Sequence, residues 1–207
     1  MSTLQAGAQC AIMGKELKQG EAFWGMDLPE HLKKDYEGKE GCRLIEQEEM
    51  LKTIDFHPPF LRVEKMMISD TAHHSVANSK SLGMGHITTK DTHGHYNDTI
   101  YLAMCGWLMA SSASVHLAFL FPTTAPQVVE ANKVRPILKG NAKNIVWKPS
   151  VKGTPFFVET TVLKKKMQLL VVMTKITFGN ILYGTIEELK LVLTDKKSIW
   201  AAKEVPG

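Results

Sequence analysis

The pattern of apolar positions changes along the chain, and it predicts one long helix followed by strands. Apolar side chains recur at helical spacings after Asp98, and Asn97 or Asp98 is suited to cap the first turn, so we predict a helix from about Asp98 to His116. After Pro122 and Pro126, β-branched and aromatic residues alternate in part with polar ones. This pattern predicts strands in QVVEANKVRPIL, AKNIVWK, PFFVETTVLKK, MQLLVVMTKITF and ILYGTIEELKLVL. Gly179-Asn180 is typical of a hairpin turn.

The chain before this helix divides into a polar part and a strand-rich part. Residues 1–52 are mixed in charge and are interpreted as an N-terminal extension, in which LIEQEEMLKTI can form a helix. Pro58 and Pro59 exclude a helix at the start of residues 53–207, the predicted main domain. Strands are expected from Phe60 to Ile68 and in TAHHSVANSKSL, ending near Gly83. The order of elements predicts an α+β fold with an antiparallel sheet curled around one helix, and it excludes a doubly wound parallel sheet.

Composition excludes several classes of protein. With 207 residues, 44% hydrophobic and 22% charged, the chain suits one domain that buries a core. A formal net charge of +4 falls short of the basic face of a nucleic-acid binder. Three cysteines without C-x-x-C spacing indicate reduced thiols and a cytoplasmic location, and no secretory signal is expected at the N-terminus.

The window from Leu102 to Leu120 contains no Asp, Glu, Lys or Arg, so a membrane span has to be considered. Ser111, Ser112, Ser114 and His116 dilute its apolar character. A helix that is apolar nearly all round is more often surrounded by its own protein, so we predict a buried helix and no membrane span.

Three strings resemble a known group of proteins. HPPFLRVEKM and ANKVRPILKGN are similar to strands of the hydroxyacyl-thioester dehydratases, before and after their central helix. THGHYNDTIYLAMCGW more closely resembles the FcoT-like fatty acyl-CoA thioesterases, which carry a Gly-His-aromatic-Asn string directly before that helix. The resemblance covers roughly residues 56–195. It implies the hotdog fold, a long central helix wrapped by a curved antiparallel sheet, and a homodimer or higher oligomer.

The resemblance also implies an acyl-thioester substrate, with coenzyme A or an acyl carrier protein as the carrier and no separate cofactor. The candidate catalytic residues lie just before the helix: Gly94, His95, Asn97 and Asp98. A neutral His95 can act as a base or orient water, and Asn97 can hold the thioester carbonyl. Unpaired amides at the expected helix start, Asp98, Thr99 and Ile100, would stabilise an oxyanion. Asp98 can instead be only a helix cap.

Other candidate residues follow from position. The acyl chain is expected to contact Tyr96, Tyr101, Met104, Trp107 and Leu108, although ordinary core packing would place most of them equally well. The phosphates of coenzyme A or of a carrier's pantetheine are expected near Arg135, Lys139 and Lys143, and the run Lys164–Lys166 suits the same role or a solvated surface. The histidines at 73, 74, 86, 93 and 95 lack acidic or cysteine partners at a recognisable spacing, so no metal site is expected.

Three functions stay open on the sequence. Hydrolysis of an acyl thioester is favoured. Addition of water or an amine to a 2-enoyl thioester, or dehydration giving one, would use the same pocket, but a dehydratase of the usual kind needs an acid on the helix and no Asp or Glu lies between Asp98 and Glu130. The site tyrosines of FcoT-like enzymes have no clear counterpart, which would suit a non-catalytic acyl-binding module.

Overall fold

The computed structural model describes twelve segments of the chain: residues 15–16, 28–29, 32, 36, 42–54, 62–69, 76–86, 99–100, 102–136, 145–146, 155–179 and 181–196. Their elements are β1 (Lys15–Glu16), β2 (Cys42–Glu46), α1 (Gln47–Thr53), β3 (Lys65–Ser69), β4 (Lys80–His86), β5 (Thr99–Ile100), α2 (Leu102–Leu120), β6 (Thr124–Pro136), β7 (Ile145–Val146), β8 (Pro155–Lys166), β9 (Leu169–Phe178) and β10 (Ile181–Asp195).

Eight of these strands form one antiparallel sheet in the order β1-β2-β3-β4-β8-β9-β10-β6, and β5 pairs with β7 in a separate ribbon. After β4 the chain passes through α2 to β6 at the far edge, and β8 returns to pair with β4. The strands β8, β9 and β10 then follow one another as hairpins. The predicted antiparallel sheet around one long helix is therefore confirmed, and so is the hairpin at Gly179, whose φ is 54°.

The two faces of the sheet are covered by different parts of the chain. Phe156 and Val158 of β8 share a core cluster with Leu108 and Leu117 of α2, so this face lies against the helix. Phe157, between them in sequence, packs on the opposite face in a cluster whose N-terminal members are Leu28, Leu32 and Tyr36. The predicted division at residue 52 stays a prediction, but described residues before it complete both the sheet and its outer core.

Several predicted boundaries are wrong. The first predicted strand, from Phe60 to Ile68, is shorter and later, since β3 is Lys65–Ser69. Leu44 and Ile45, expected in a helix, lie in β2, which pairs with β3, and the helix is only Gln47–Thr53. The second predicted strand starts late because residues 76–78 form a turn in which Asn78 has a φ of 73°.

The central helix is displaced by four residues from its predicted bounds, since α2 is Leu102–Leu120. Thr99 and Ile100 are β-branched and pair with Val146 and Ile145, which delays the helix start. At the other end, Leu117 and Phe119 continue the buried apolar surface beyond His116, and Pro122 follows the helix. No helix in the described segments is long and apolar enough to cross a membrane.

Two glycines let β4 approach its neighbours closely. A Cβ atom on Gly83 would lie 2.6 Å from Ser112 Oγ of α2. A Cβ atom on Gly85 would lie 2.1 Å from the carbonyl oxygen of Arg62 and 2.7 Å from the ring of Phe156. These distances are shorter than van der Waals contact, so this spacing of strand, helix and preceding segment requires glycine at both positions.

The interface between α2 and the sheet contains polar side chains as well as apolar ones. Ser81, Ser112, Thr160 and Thr174 are all 0% exposed. Among the residues that the structure describes, none forms a hydrogen bond with these four hydroxyls. A buried polar group left without any hydrogen-bond partner costs about 1–3 kcal/mol, so the presence of four such hydroxyls in one interface needs a physical reason.

Candidate functional site

The start of α2 and the end of β4 lie at the same end of the domain. His116 Nε2 is 3.0 Å from Ser79 Oγ, and Ser112 lies against Gly83, so β4 and α2 run in opposite directions. His86, the last residue of β4, is therefore closer to the helix start than Lys80 is. Residues 87–98, which carry the predicted catalytic string, connect the end of β4 to β5 directly before the helix.

The predicted catalytic residues themselves fall outside the described segments. This applies to Gly94, His95, Tyr96, Asn97, Asp98 and Tyr101, and to the predicted phosphate-binding residues Lys139 and Lys143. Their roles stay predictions. The structure fixes the two points between which the catalytic string must run, namely His86 and Thr99.

The predicted oxyanion donors need a correction. Thr99 and Ile100 belong to β5, whose residues pair with β7, and do not lie in the first turn of the helix. Asp98 lies outside the described segments, four positions before the first helical residue, Leu102. The unpaired amides of the first turn belong to Leu102, Ala103 and Met104. This turn contains no acidic residue, so a developing negative charge there meets no repulsion from the helix itself.

Two of the predicted acyl-contact residues on α2, Trp107 and Leu108, differ in burial. Leu108 is 1% exposed in the core, whereas the neighbouring Trp107 is 36% exposed. Successive helical residues are rotated by about 100°, so these two side chains point in different directions. The backbone of Met104 lies in the helix, but its side chain is not among the described ones. A Cβ atom added to Gly106 would have no neighbour within 4 Å, which marks the exposed side of the helix.

Cys105 is a potential nucleophile near the helix start, but its surroundings keep it inactive. Its thiol is free and 1% exposed, in a core cluster with Phe178 and Tyr183. Burial raises the pKa of Cys105 to about 12, since the thiolate would lose its hydration. A thiol that stays protonated at neutral pH is a poor nucleophile, so Cys105 is a packing residue.

We expect Cys105 in the folded protein to resist alkylation. Iodoacetamide at pH 8 should leave it unmodified in the native protein and modify it rapidly in denaturant, because alkylation needs an exposed thiolate. Peptide mass spectrometry after short exposures measures the modified fraction. Equal rates in the two states would contradict the buried, protonated thiol.

Glu64 and His86 form a pair that no local sequence pattern indicates. The carboxylate accepts a hydrogen bond from the His86 backbone amide at 2.9 Å, and its second oxygen lies 3.0 Å from His86 Nδ1. Both side chains are partly exposed, at 40% and 30%. Leu82 and Met84 face away from α2, and strand alternation places His86 on that same outer side. The pair ties the end of β4 to the segment before β3 and so fixes where residues 87–98 begin.

A second histidine, His116, also pairs with a residue distant in sequence, Ser79. The Ser79–His116 contact has the distance of a nucleophile and its base, but both residues are 0% exposed. Burial lowers the pKa of His116 to about 3, so its ring is neutral at ordinary pH. A substrate carbonyl cannot reach a serine hidden between helix and sheet, and the pair is structural.

Two of the described basic candidates, Arg135 and Lys165, have partners within the chain. Arg135 on β6 is engaged by Glu187 of β10, with Nε 2.9 Å from the carboxylate. Lys165 Nζ lies 4.5 Å from the ring centre of Phe121, just beyond the opposite end of α2. The run Lys164–Lys166 is exposed there, roughly 30 Å from the helix start by the rise of 1.5 Å per residue.

The described segments contain no group of three or more His, Cys, Asp or Glu side chains arranged to hold a metal ion. His73, His74, His93 and His95 lie outside them, so the prediction of no metal site is not tested at those positions.

Comparisons by sequence find no matching family model and no matching curated protein. Solved structures are similar in fold. The dehydratase heterocomplex ApeI:P from Xenorhabdus doucetiae gives a TM-score of 0.53 at 11% identity, covering 75% of this chain and 97% of the other. A hot-dog-like protein from Thermanaerovibrio acidaminovorans gives 0.46 at 13% identity, covering 63% and 93%. The fluoroacetyl-CoA thioesterase FlK gives 0.47 at 11% identity, covering 63% and 97%.

Proposed function

We propose that this chain, which has the hotdog fold, is an enzyme that hydrolyses acyl thioesters carried on coenzyme A or an acyl carrier protein. One observation carries the proposal. The Gly94-His95-Tyr96-Asn97 string is confined between the end of β4 and the start of a buried, uncharged helix whose first-turn amides are unpaired within the helix. This arrangement would place a base, an amide and oxyanion donors together.

The proposed reaction uses these groups in sequence. His95 accepts a proton from water as the water oxygen attacks the thioester carbonyl carbon. The amides of Leu102, Ala103 and Met104 stabilise the negative charge on the carbonyl oxygen, and Asn97 orients the carbonyl. Collapse of the tetrahedral intermediate breaks the carbon–sulfur bond, and the thiolate leaves with the proton returned by His95. The products are a free acid and the carrier thiol.

The proposed substrate contacts follow the corrected helix geometry. The acyl chain would lie along Tyr96, Tyr101 and Met104 toward the apolar core at Leu108. Trp107, on the exposed side of the helix, would instead contact the carrier arm or a second subunit. Phosphate binding by Arg135, Lys139 and Lys143 remains part of the proposal, with Arg135 having to exchange its ion pair with Glu187.

A homodimer is part of the proposal, and β6 is the surface that supports it. This edge strand pairs only with β10 among the described strands. Its charges are matched inside the chain, by Glu130–Lys190, Lys133–Glu188 and Arg135–Glu187. Val128, Val129 and Val134 are 46%, 63% and 42% exposed on the same strand. A second copy would cover these valines, and sedimentation equilibrium measures whether the protein is a dimer.

A second candidate reaction is addition of water or an amine to a 2-enoyl thioester. The dehydratase whose fold this chain shares favours it. The described part of α2, from Leu102 to Leu120, holds no carboxylate to act as a helix acid, so His95 would have to move the proton alone.

A cytoplasmic location also stays a prediction.

Product analysis tests the proposal. The protein is incubated with saturated and 2-enoyl thioesters, with and without glycine, and the products are identified by mass spectrometry. We expect free acids from saturated substrates and a fall of at least about 100-fold in turnover for His95→Ala. The variant's melting temperature should equal that of the native protein, and Met167→Ala, an exposed change at the far hairpin, should keep full turnover.

Other outcomes would replace the proposal. Mass gain on enoyl substrates alone would assign conjugate addition. Turnover unaffected by His95→Ala would remove His95 from the mechanism, and no turnover on any substrate would favour a non-catalytic acyl-binding module.

A further inference from the structure

A row of hydroxyl side chains crosses three neighbouring strands on the face of the sheet that contacts α2. Ser81 of β4 is the register partner of Thr160 of β8, and Thr160 is the register partner of Thr174 of β9. Register partners project from the same face of a sheet. Val158, Val172 and Ile176, two positions from Thr160 or Thr174 on the same strands, pack in the α2 core cluster, so the row faces the helix.

The helix adds a fourth hydroxyl above this row. Ser112 Oγ lies 2.6 Å from the Cβ position of Gly83, and Gly83 is two residues from Ser81 on the same face of β4. The neighbouring His116–Ser79 pair closes one side of the group. The nearby His116 Nδ1 is also buried and forms no hydrogen bond within the described part of the chain. Four hydroxyls and one ring nitrogen therefore converge on the interface.

Packing alone does not explain these residues. Valine has almost the shape of threonine, and the residues two positions before and after Thr160 and Thr174, which face the same side of the sheet, are already apolar. In native proteins the large majority of buried side-chain polar atoms have a hydrogen-bond partner, either a protein group or an ordered water.

We propose that Ser81, Ser112, Thr160 and Thr174 form a buried site for a small hydroxyl-bearing guest. The guest must both donate and accept hydrogen bonds, since serine and threonine hydroxyls do both. Two sources have this chemistry: ordered water, and a hydroxyl group carried on an acyl chain. Ser112 is about 15 Å along the helix from Leu102, so an acyl hydroxyl would lie far from the thioester. The possibility that the guest is an acyl-chain hydroxyl rests on the proposed function. The possibility that the guest is water does not.

The water source is tested without any substrate. Nuclear Overhauser transfer from water to the methyl groups of Thr160 and Thr174 should be observed in the native protein. Thr160→Val and Thr174→Val should each lower the melting temperature by about 2–4 °C, because the guest loses a hydrogen bond. Thr161→Val, a half-buried threonine on the opposite face of β8, is the matched control and should show a smaller change. Absence of transfer, or a higher melting temperature in the valine variants, would exclude water as the guest.

The acyl source is tested by substrate preference. Thioesters of plain and terminally hydroxylated acyl chains of about 10–14 carbons are compared, spanning the 15 Å from the helix start. A preference in kcat/KM for the hydroxylated chain that falls at least about tenfold in Thr174→Val supports it. Equal use of both chains excludes it. If neither water nor the acyl hydroxyl binds, the proposed site is wrong. If no thioester is turned over at all, the proposed function is wrong, and the water measurement alone then decides whether the site exists.

Discussion

Replacing Gly85 by alanine is expected to destabilise the protein by at least about 3 kcal/mol, lowering the melting temperature by roughly 6–12 °C. The added methyl group would lie 2.1 Å from a backbone oxygen of Arg62 and 2.7 Å from the ring of Phe156. Neither neighbour can move easily. The oxygen belongs to the main chain, and Phe156 is 0% exposed and packed 6.1 Å from the ring of Phe178. Thermal and urea unfolding measure the change.

Gly106→Ala is the matched control, because a Cβ atom there has no neighbour within 4 Å. Alanine is favoured over glycine inside a helix by about 1 kcal/mol, so this variant should be unchanged or slightly more stable. A Gly85→Ala protein as stable as Gly106→Ala would show that β4 does not lie as close to Arg62 and Phe156 as described.

Stability is expected to fall steeply as the pH decreases from about 6.5 toward 3, and His116 is the reason. Burial lowers the pKa of this residue from 6.5 to about 3 in the folded protein. Below pH 6.5 the unfolded chain binds a proton at His116 that the folded chain does not bind. The unfolded state therefore gains free energy, at up to about 1.4 kcal/mol per pH unit and roughly 4 kcal/mol over the interval. Above pH 6.5 this contribution is constant.

The measurement is the free energy of unfolding in urea at several pH values. His116→Gln cannot take up the proton and should show a much shallower slope between pH 6.5 and 4. His86→Gln, at a partly exposed histidine paired with Glu64, should retain the steep slope of the native protein. Identical slopes in the native protein and in His116→Gln would rule out buried His116 as the source.

Residues with local signals were predicted well, and residues set by distant contacts were not. The strands β8, β9 and β10 carry alternating or β-branched patterns and the Gly179 turn, all of which act over a few residues. The pairing of β4 with β8 and of β2 with β3 depends on contacts that no local pattern reports. The helix start moved because Thr99 and Ile100 pair with a segment 45 residues later.

The candidate site was predictable in part for the same reason. The string before the helix is contiguous in sequence, so its residue types indicated a site directly. The Glu64–His86 pair joins residues 22 apart, and the Ser79–His116 pair joins residues 37 apart. Hydroxyls such as Thr160 and Thr174 appeared as ordinary strand residues, because only the register shows that they meet beneath the helix.

The strand order has a consequence for how the chain reaches its native state. The hairpins β8–β9 and β9–β10 join neighbouring segments and can form early. The pair β4–β8 joins residues about 70–80 positions apart and the pair β6–β10 joins residues about 50–70 positions apart, so both carry a larger loop-closure entropy. Folding should therefore begin in the C-terminal third and be slow overall. During synthesis on the ribosome, β2, β3, β4 and α2 emerge before the strands that cover them, so their apolar surfaces stay exposed until β8, β9 and β10 have been made.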